Sequence, residues 1–178
     1  RTALKLSEIV VTEAGFGFDL GAEKYFDIVA PYGGLDPRMV VLVATVRALK
    51  YHAGVNRNEL DEPNPRAAVM GMANLRKHYQ NIDKFHIPCV IALNRFPSDT
   101  DREIEAVVKA AGDEGMNISP CDIFRGGGAG GLELAEKIVA VLSGSSGTYR
   151  PLYDWNQPVE DKIFTVASEI YGAVSIDY

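Results

Sequence analysis

Apolar residues fall along this chain in short, β-branched runs, separated by longer stretches in which they recur every three or four positions. The runs are 9–11, 39–46, 87–93 and, more weakly, 118–123, and they predict four strands. The second and third are nearly continuous apolar stretches, as in strands buried on both faces of a parallel sheet. Between them the period changes. Over 65–84, Val69, Met72, Leu75, Tyr79 and Ile82 lie three or four apart and predict one amphipathic helix. Thr100-Asp101-Arg102-Glu103 is a capping box that opens a helix carrying Ile104, Val107, Val108 and Ala111. Leu134, Ile138, Val141 and Leu142 line a helix over 132–142. A last helix opens at Asn156-Gln157-Pro158 and stops at Gly172.

Strands alternating with helices give an α/β fold: a doubly wound, mostly parallel sheet with helices on both faces and one C-terminal helical extension. Residues 1–147 are expected to form the α/β portion, and 148–178 the extension or the start of a following domain. Segment 54–65 is polar with two prolines and reads as a loop. Ser-Gly-Ser-Ser-Gly-Thr at 143–148 reads as a flexible connector. Residues 1–6 read as the tail of a helix already under way, so the natural polypeptide is expected to extend upstream.

Composition narrows the function. Apolar residues make up 47% of 178 and charged residues 24%, ordinary for a globular protein. Eighteen Lys plus Arg against 24 Asp plus Glu give a net charge of −6, which argues against broad nucleic-acid or anionic-membrane binding. Cys89 and Cys121, the two cysteines, lie in apolar runs and read as buried thiols in a reducing, cytoplasmic compartment. No stretch approaches the roughly 18 continuous apolar residues of a membrane span, and no signal-peptide pattern stands at the start.

In open parallel sheets a ligand sits beyond the carboxyl ends of the strands. Segments 12–21, 47–55, 94–100 and 124–131 are therefore expected to converge on one edge. The first holds Gly15, Phe16 and Gly17, with Gly21 a little further on. Glycines after a strand let amides approach an anion, and they also serve as plain turn residues. The second holds Arg47 and Lys50, three apart and thus on one helical face, where they meet either an anion or solvent. The third holds Phe96 and Pro97. Proline stiffens the turn, so Phe96 either stacks on a flat heterocycle or staples the loop to its own helix. The fourth runs Phe124, Arg125, Gly126, Gly127, Gly128, Ala129, Gly130, Gly131. Five glycines in six positions carry a high entropic cost for a mere link, which favours close backbone approach to a ligand. Phe124 is a second stacking candidate, and Arg125 is an anion contact or a surface charge.

No Walker A motif and no Ser-His-Asp signature occurs, and no histidine has a partner at zinc-ligand spacing. No metal ligand and no general base is therefore assigned.

These loops carry a specific resemblance. V-T-E-A-G-F-G from Val11, D-L-G-A-E-K from Asp19, V-A-T-V-R-A-L-K from Val43, N-R-F-P-S-D-T from Asn94 and G-G-L-E-L-A from Gly130 resemble formate–tetrahydrofolate ligase. The likeness runs nearly end to end, to the middle third of that longer enzyme. It implies a P-loop-NTPase-like half domain. It also implies the family's reaction, in which formate and ATP give formyl phosphate and the formyl group passes to N10 of tetrahydrofolate. Mg2+-bound ATP, a monovalent cation and a homotetramer are implied for the full-length enzyme, with small-molecule substrates only. The family's two folate-stacking aromatics fall on Phe96 and Phe124. The resemblance puts the formyl phosphate region at Gly15, Phe16 and Gly17, and a folate or nucleotide lining at Phe96, Pro97, Phe124, Arg125, Gly127, Gly128, Gly130 and Gly131. Several positions depart from the family pattern. The usual Trp is Phe124, the usual Lys is Gly126, the usual Glu is Ala129, and a bulky Phe18 follows Gly17. The family's P-loop and its lysine lie upstream of the matching stretch, so this chain alone is expected not to turn over. The alternative is a non-catalytic, ligase-like module that binds folate or nucleotide or scaffolds a partner.

Overall fold

The computed structural model describes residues 2–144 and 147–178. The connector expected over 143–148 includes 145 and 146, which lie outside the described residues. Helix α1 (Ala3–Leu6) is followed by an exposed, irregular stretch, then two π-helical turns, Gly17–Ala22 and Tyr25–Val29, and α2 (Ala30–Gly33). The core alternates β1 (Val40–Ala44), α3 (Val46–His52), α4 (Pro65–Met70), α5 (Met72–Asp83), β2 (Cys89–Asn94), α6 (Asp101–Asp113), β3 (Ile118–Cys121), α7 (Ile123–Gly126) and α8 (Leu132–Gly144). Helix α9 (Val159–Tyr171) closes the chain.

The three strands form one parallel sheet in the order β1-β2-β3. β2 is central and its first five residues are buried, as its unbroken apolar run demands. Side chains alternate across the pleat. Ile91 and Leu93 pack with Val46, Leu49, Ala68, Met72, Leu75, Ile104 and Val107 from α3 to α6. Val90 and Ala92 pack with Cys121 and with Leu134 of α8 on the other face. Helices thus cover both faces, and the doubly wound α/β fold is confirmed. Coverage on the α8 side is incomplete. Val41 and Val43 pair in register with Val90 and Ala92, so they face the same way, and both stay exposed.

Two predicted elements differ. The run 9–11 is not a strand; it is exposed and joins no sheet, because three apolar residues hold an extended form only when a neighbouring edge pairs with them. The helix predicted over 65–84 is two helices that break at Gly71. A Cβ at Gly71 would lie 1.8 Å from the Leu49 carbonyl oxygen, so the break is where α3 presses backbone to backbone on the α4–α5 junction. The other predicted strands and helices lie where the pattern puts them, with ends shifted by a few residues.

The two π-helical turns build a second core at the entering end of β2. Phe18 and Phe26 pack on Ile82, Phe85, Ile87 and Cys89, joined by Ile170 from α9. Phe18, Phe26 and Phe85 lie 5.0 to 5.8 Å apart, centroid to centroid, the range in which aromatic pairs attract. The C-terminal extension docks on the same turns. The Leu152 amide donates to Asp27 Oδ1 at 2.6 Å, Trp155 Nε1 donates to the Asp27 carbonyl at 3.0 Å, and the Tyr149 hydroxyl donates to the Phe26 carbonyl.

Asp27 is fully buried and Glu23, one turn earlier, nearly so. Asp27 Oδ2 has no hydrogen-bond partner among the described residues, and the Glu23 carboxyl lies near it. Burial pushes Asp27 up to about 7; the Leu152 amide works against this, and the Glu23 charge adds to it. Glu23 is raised by burial too, against its bond to Asp27 and the nearby Lys24 charge.

Candidate functional site

The β2 and β3 exits leave the sheet side by side at its carboxyl edge. The Arg95 amide still donates to the Cys121 carbonyl at 2.9 Å, so the two strands remain joined as their loops begin. Phe96 to Asp99 then form a closed turn. The Phe96 amide donates to Asp99 Oδ2 at 2.8 Å, and the Asp99 amide returns a bond to the Phe96 carbonyl at 2.9 Å. Pro97 sits exposed at the corner and Phe96 is 41% exposed, so the ring is presented by a stiff turn. Asp99 itself is buried, with Oδ1 unpartnered. Burial raises its carboxyl, against the pull of the Phe96 amide.

On the neighbouring exit, Asp122 caps α7 by accepting the Arg125 amide at 3.3 Å. Phe124 follows, 84% exposed. A tight 3-10 turn, Gly127–Gly131, completes the loop. Gly127 has φ +55°, a left-handed conformation that a side chain disfavours. Gly126, Gly127 and Gly128 face open space, whereas a Cβ on Gly130 would lie 2.1 Å from the Asp122 carbonyl oxygen. Close approach at Gly130 is therefore to the loop's own backbone, and Gly131 packs on the Ile123 side chain. The Arg125 guanidinium is exposed, 3.9 Å from Asp122.

The segment that holds Gly15, Phe16 and Gly17 is anchored elsewhere. Gly15 and Gly21 touch: a Cβ on Gly21 would come within 2.3 Å of Gly15. Phe16 is fully exposed, and Phe18 is buried against Phe85 at the entering end of β2. Asp19 faces His78 of α5 at 3.9 Å and accepts the Tyr171 hydroxyl at its carbonyl, 2.8 Å. The expected gathering of four loops is thus corrected to the three exits after β1, β2 and β3, with this segment tied instead to α5, α9 and the base of β2. It packs there through Phe18, which is buried in the aromatic core with Phe26 and Phe85.

Arg47 and Lys50 do not share an anion-facing surface. Arg47 is partly exposed and pairs with Asp61. It lines an open depression of about 300 Å³ with Tyr51, Arg57 and Leu60, where the Arg57 guanidinium lies 5.4 Å from the Tyr51 ring centroid. Lys50 is 0% exposed, which corrects the expected anion contact. Its Nζ donates to Glu103 Oε1 at 2.8 Å and to the Glu62 carbonyl at 3.0 Å. Its side chain reaches the start of α6, where a buried carboxylate is its partner.

Glu103 is the residue that sequence reasoning undervalued. Its Oε1 also accepts the Asn64 amide at 2.9 Å, and its Oε2 accepts the Thr100 amide and hydroxyl at 2.9 and 2.7 Å. Burial pushes this carboxyl up, and the donors from Asn64, Lys50 and Thr100 outweigh it, holding the group at about 2. The capping-box spacing marked Glu103 as a helix start; nothing in the linear pattern marked Lys50 as its partner 53 positions away.

Among the described residues no group of three or more His, Cys, Asp or Glu side chains is placed to hold a metal ion, and no helix is long and apolar enough to cross a membrane. What the carboxyl edge offers is two exposed aromatic rings on stiff turns, an exposed guanidinium and a glycine-rich backbone, a surface suited to a flat, partly anionic ligand.

A family model described as formate–tetrahydrofolate ligase matches residues 1–178. A relative of that name from Syntrophus aciditrophicus (strain SB) is 80% identical over 176 residues. The match takes in 99% of this chain and 31% of the relative, so the chain spans about a third of that protein's length.

Proposed function

The chain belongs to the formate–tetrahydrofolate ligase family, and on that premise we propose that it is the part of an ATP-dependent ligase that holds the folate. In the whole enzyme, formate is activated as formyl phosphate and the formyl group passes to N10 of tetrahydrofolate, in one-carbon metabolism. The observation that carries this reading is the pair of exposed phenylalanines, Phe96 and Phe124, on turns leaving adjacent parallel strands at one edge. A planar pterin between two such rings gains stacking on both faces. Gly126 to Gly128, open to solvent, leave room for a ligand's polar rim, and Arg125 offers an unburied cation to an anionic group.

Catalysis in such a reaction is positioning and charge stabilisation. This chain's share is to bind and orient the folate; no general base is assigned. ATP with Mg2+ enters as substrate of the longer enzyme, and its phosphates are handled by residues outside the segment. For the full-length enzyme we further propose a monovalent cation, a homotetramer and a cytoplasmic setting. Residues 148–178 are taken as the start of a following unit that docks on the α/β portion.

Calorimetric titration of the chain with tetrahydrofolate tests this. Binding is expected, with no ADP formed from ATP and formate by this chain alone. Phe96→Ala is expected to weaken binding by ~1–3 kcal/mol, the scale of a lost aromatic–heterocycle stack. A folded chain with no folate affinity would overturn the proposal, and unchanged affinity in Phe96→Ala would remove that ring from the site. A full-length parent making formate-dependent ADP supports the ligase over the non-catalytic alternative.

A further inference from the structure

We infer that Lys50 and Glu103 are positioning residues: through the turn from Phe96 to Asp99 they fix the Phe96 ring at the carboxyl edge. Glu103 sits at the hub of three segments. One oxygen takes Lys50 Nζ from α3 and the Asn64 amide from the loop after it; the other takes the Thr100 amide and hydroxyl. Lys50 reaches on to the Glu62 carbonyl. The chain leaving β1 and the chain leaving β2 are thereby clamped to one buried carboxylate.

A helix cap alone does not require this arrangement. A capping box works at the surface, where Thr100 and Glu103 would satisfy each other's backbone. Here both members of the ion pair are completely buried. Burying a charge pair costs desolvation, and apolar groups of similar volume often serve stability as well or better. What the pair supplies beyond stability is a fixed register between two loops. Thr100 follows directly on Asp99, whose side chain holds the Phe96 amide, so any slip at Thr100 is passed to the ring through two hydrogen bonds. Arg95 braces the same turn from the other side, through the Asp99 carbonyl at 3.3 Å and Asp101 at 2.7 Å.

The assignment rests on Phe96 being a folate contact, so the test has one arm that needs no folate. Amide hydrogen exchange of the chain is followed residue by residue by NMR. In Glu103→Gln the Phe96 and Thr100 amides are expected to exchange at least about tenfold faster relative to Ile91 and Leu93 of β2. Glu114→Ala, which loosens the far end of α6 by removing its contact with Arg76, is expected to leave that ratio unchanged. If Glu103→Gln does not fold, Thr100→Val, which removes the hydroxyl's bonds to the Glu103 carboxylate and amide and keeps the Thr100 amide's bond, decides by the same ratio. An unchanged ratio in a folded variant overturns the inference. In the second arm, folate affinity is measured for Phe96→Ala, Glu103→Gln and the double variant. Non-additive losses support action through Phe96, and additive losses refute it. A wild-type chain that binds no folate sinks the proposed function, and the exchange ratio, measured also in Lys50→Met, still settles whether Glu103 and Lys50 hold the turn.

Discussion

Asp27→Asn should flatten the pH dependence of this protein's stability. The native carboxyl titrates at about 7 against an ordinary 3.8. A raised value means that the folded state holds the proton more tightly than the unfolded one. The contribution is therefore fully present below about pH 4 and is lost as pH rises through about 7. At about 1.36 kcal/mol per pH unit, that interval corresponds to at most roughly 4 kcal/mol. Glu23 is raised by burial as well. Other charged or titratable groups near the pair are Lys24, 3.9 Å from Glu23, and Tyr149, Tyr153 and Tyr171, whose hydroxyls burial raises and which stay neutral throughout. Asparagine keeps an acceptor for the Leu152 amide and offers a permanent donor to Glu23. Urea midpoints measured from about pH 5 to about pH 8, by Trp155 fluorescence and by circular dichroism, give the slope. The wild type is expected to lose some 2–3 kcal/mol over that range and Asp27→Asn less than about 1. The raised Asp83 and Asp99 contribute equally to both proteins and cancel in the difference. Identical slopes would refute the assignment of this pH dependence to Asp27.

Two further outcomes follow from packing. Gly71→Ala puts a methyl 1.8 Å from the Leu49 carbonyl oxygen and is expected to cost about 1–3 kcal/mol or more, whereas Gly112→Ala, with open space around it inside α6, should stabilise by about 0.5–1 kcal/mol; chemical denaturation of the pair checks both. Phe124→Trp enlarges the exposed ring and is expected to tighten tetrahydrofolate binding by up to about 1 kcal/mol, read by calorimetry; no change would take Phe124 out of the ligand surface.

Much of the fold was legible because period alone decides it. β2 is an unbroken apolar run and lies at the centre of the sheet, and the capping box at Thr100 opens α6 where expected. The misses share one cause: they depend on partners distant in sequence. Residues 9–11 look like a strand, yet no edge pairs with them. Nothing in the periodicity of 65–84 announces that Leu49 presses on Gly71. Arg47 and Lys50 are equivalent on a helical wheel, and only Glu103 on α6 makes one of them a core residue. At the candidate site, the exposure of Phe96 and Phe124 followed from stiff or glycine-rich loops after buried strands. That Gly130 and Gly21 are small to accommodate their own loops did not, since a glycine looks alike whether backbone or ligand approaches it. The Glu23–Asp27 pair left only the four-residue spacing of two acids in an apolar stretch, a pattern that ordinarily faces water.

The bare flank of β1 bears on how this polypeptide behaves at the bench. Its outer row of peptide groups has no neighbour among the described residues, Val41 and Val43 are uncovered, and residues 39–46 carry no charge. Natural sheets blunt such rims with lysines, prolines or bulges, and none interrupts this one. Concentrated preparations should therefore pair two by two, rim on rim, and a lysine at 43 would be the simplest way to keep them apart.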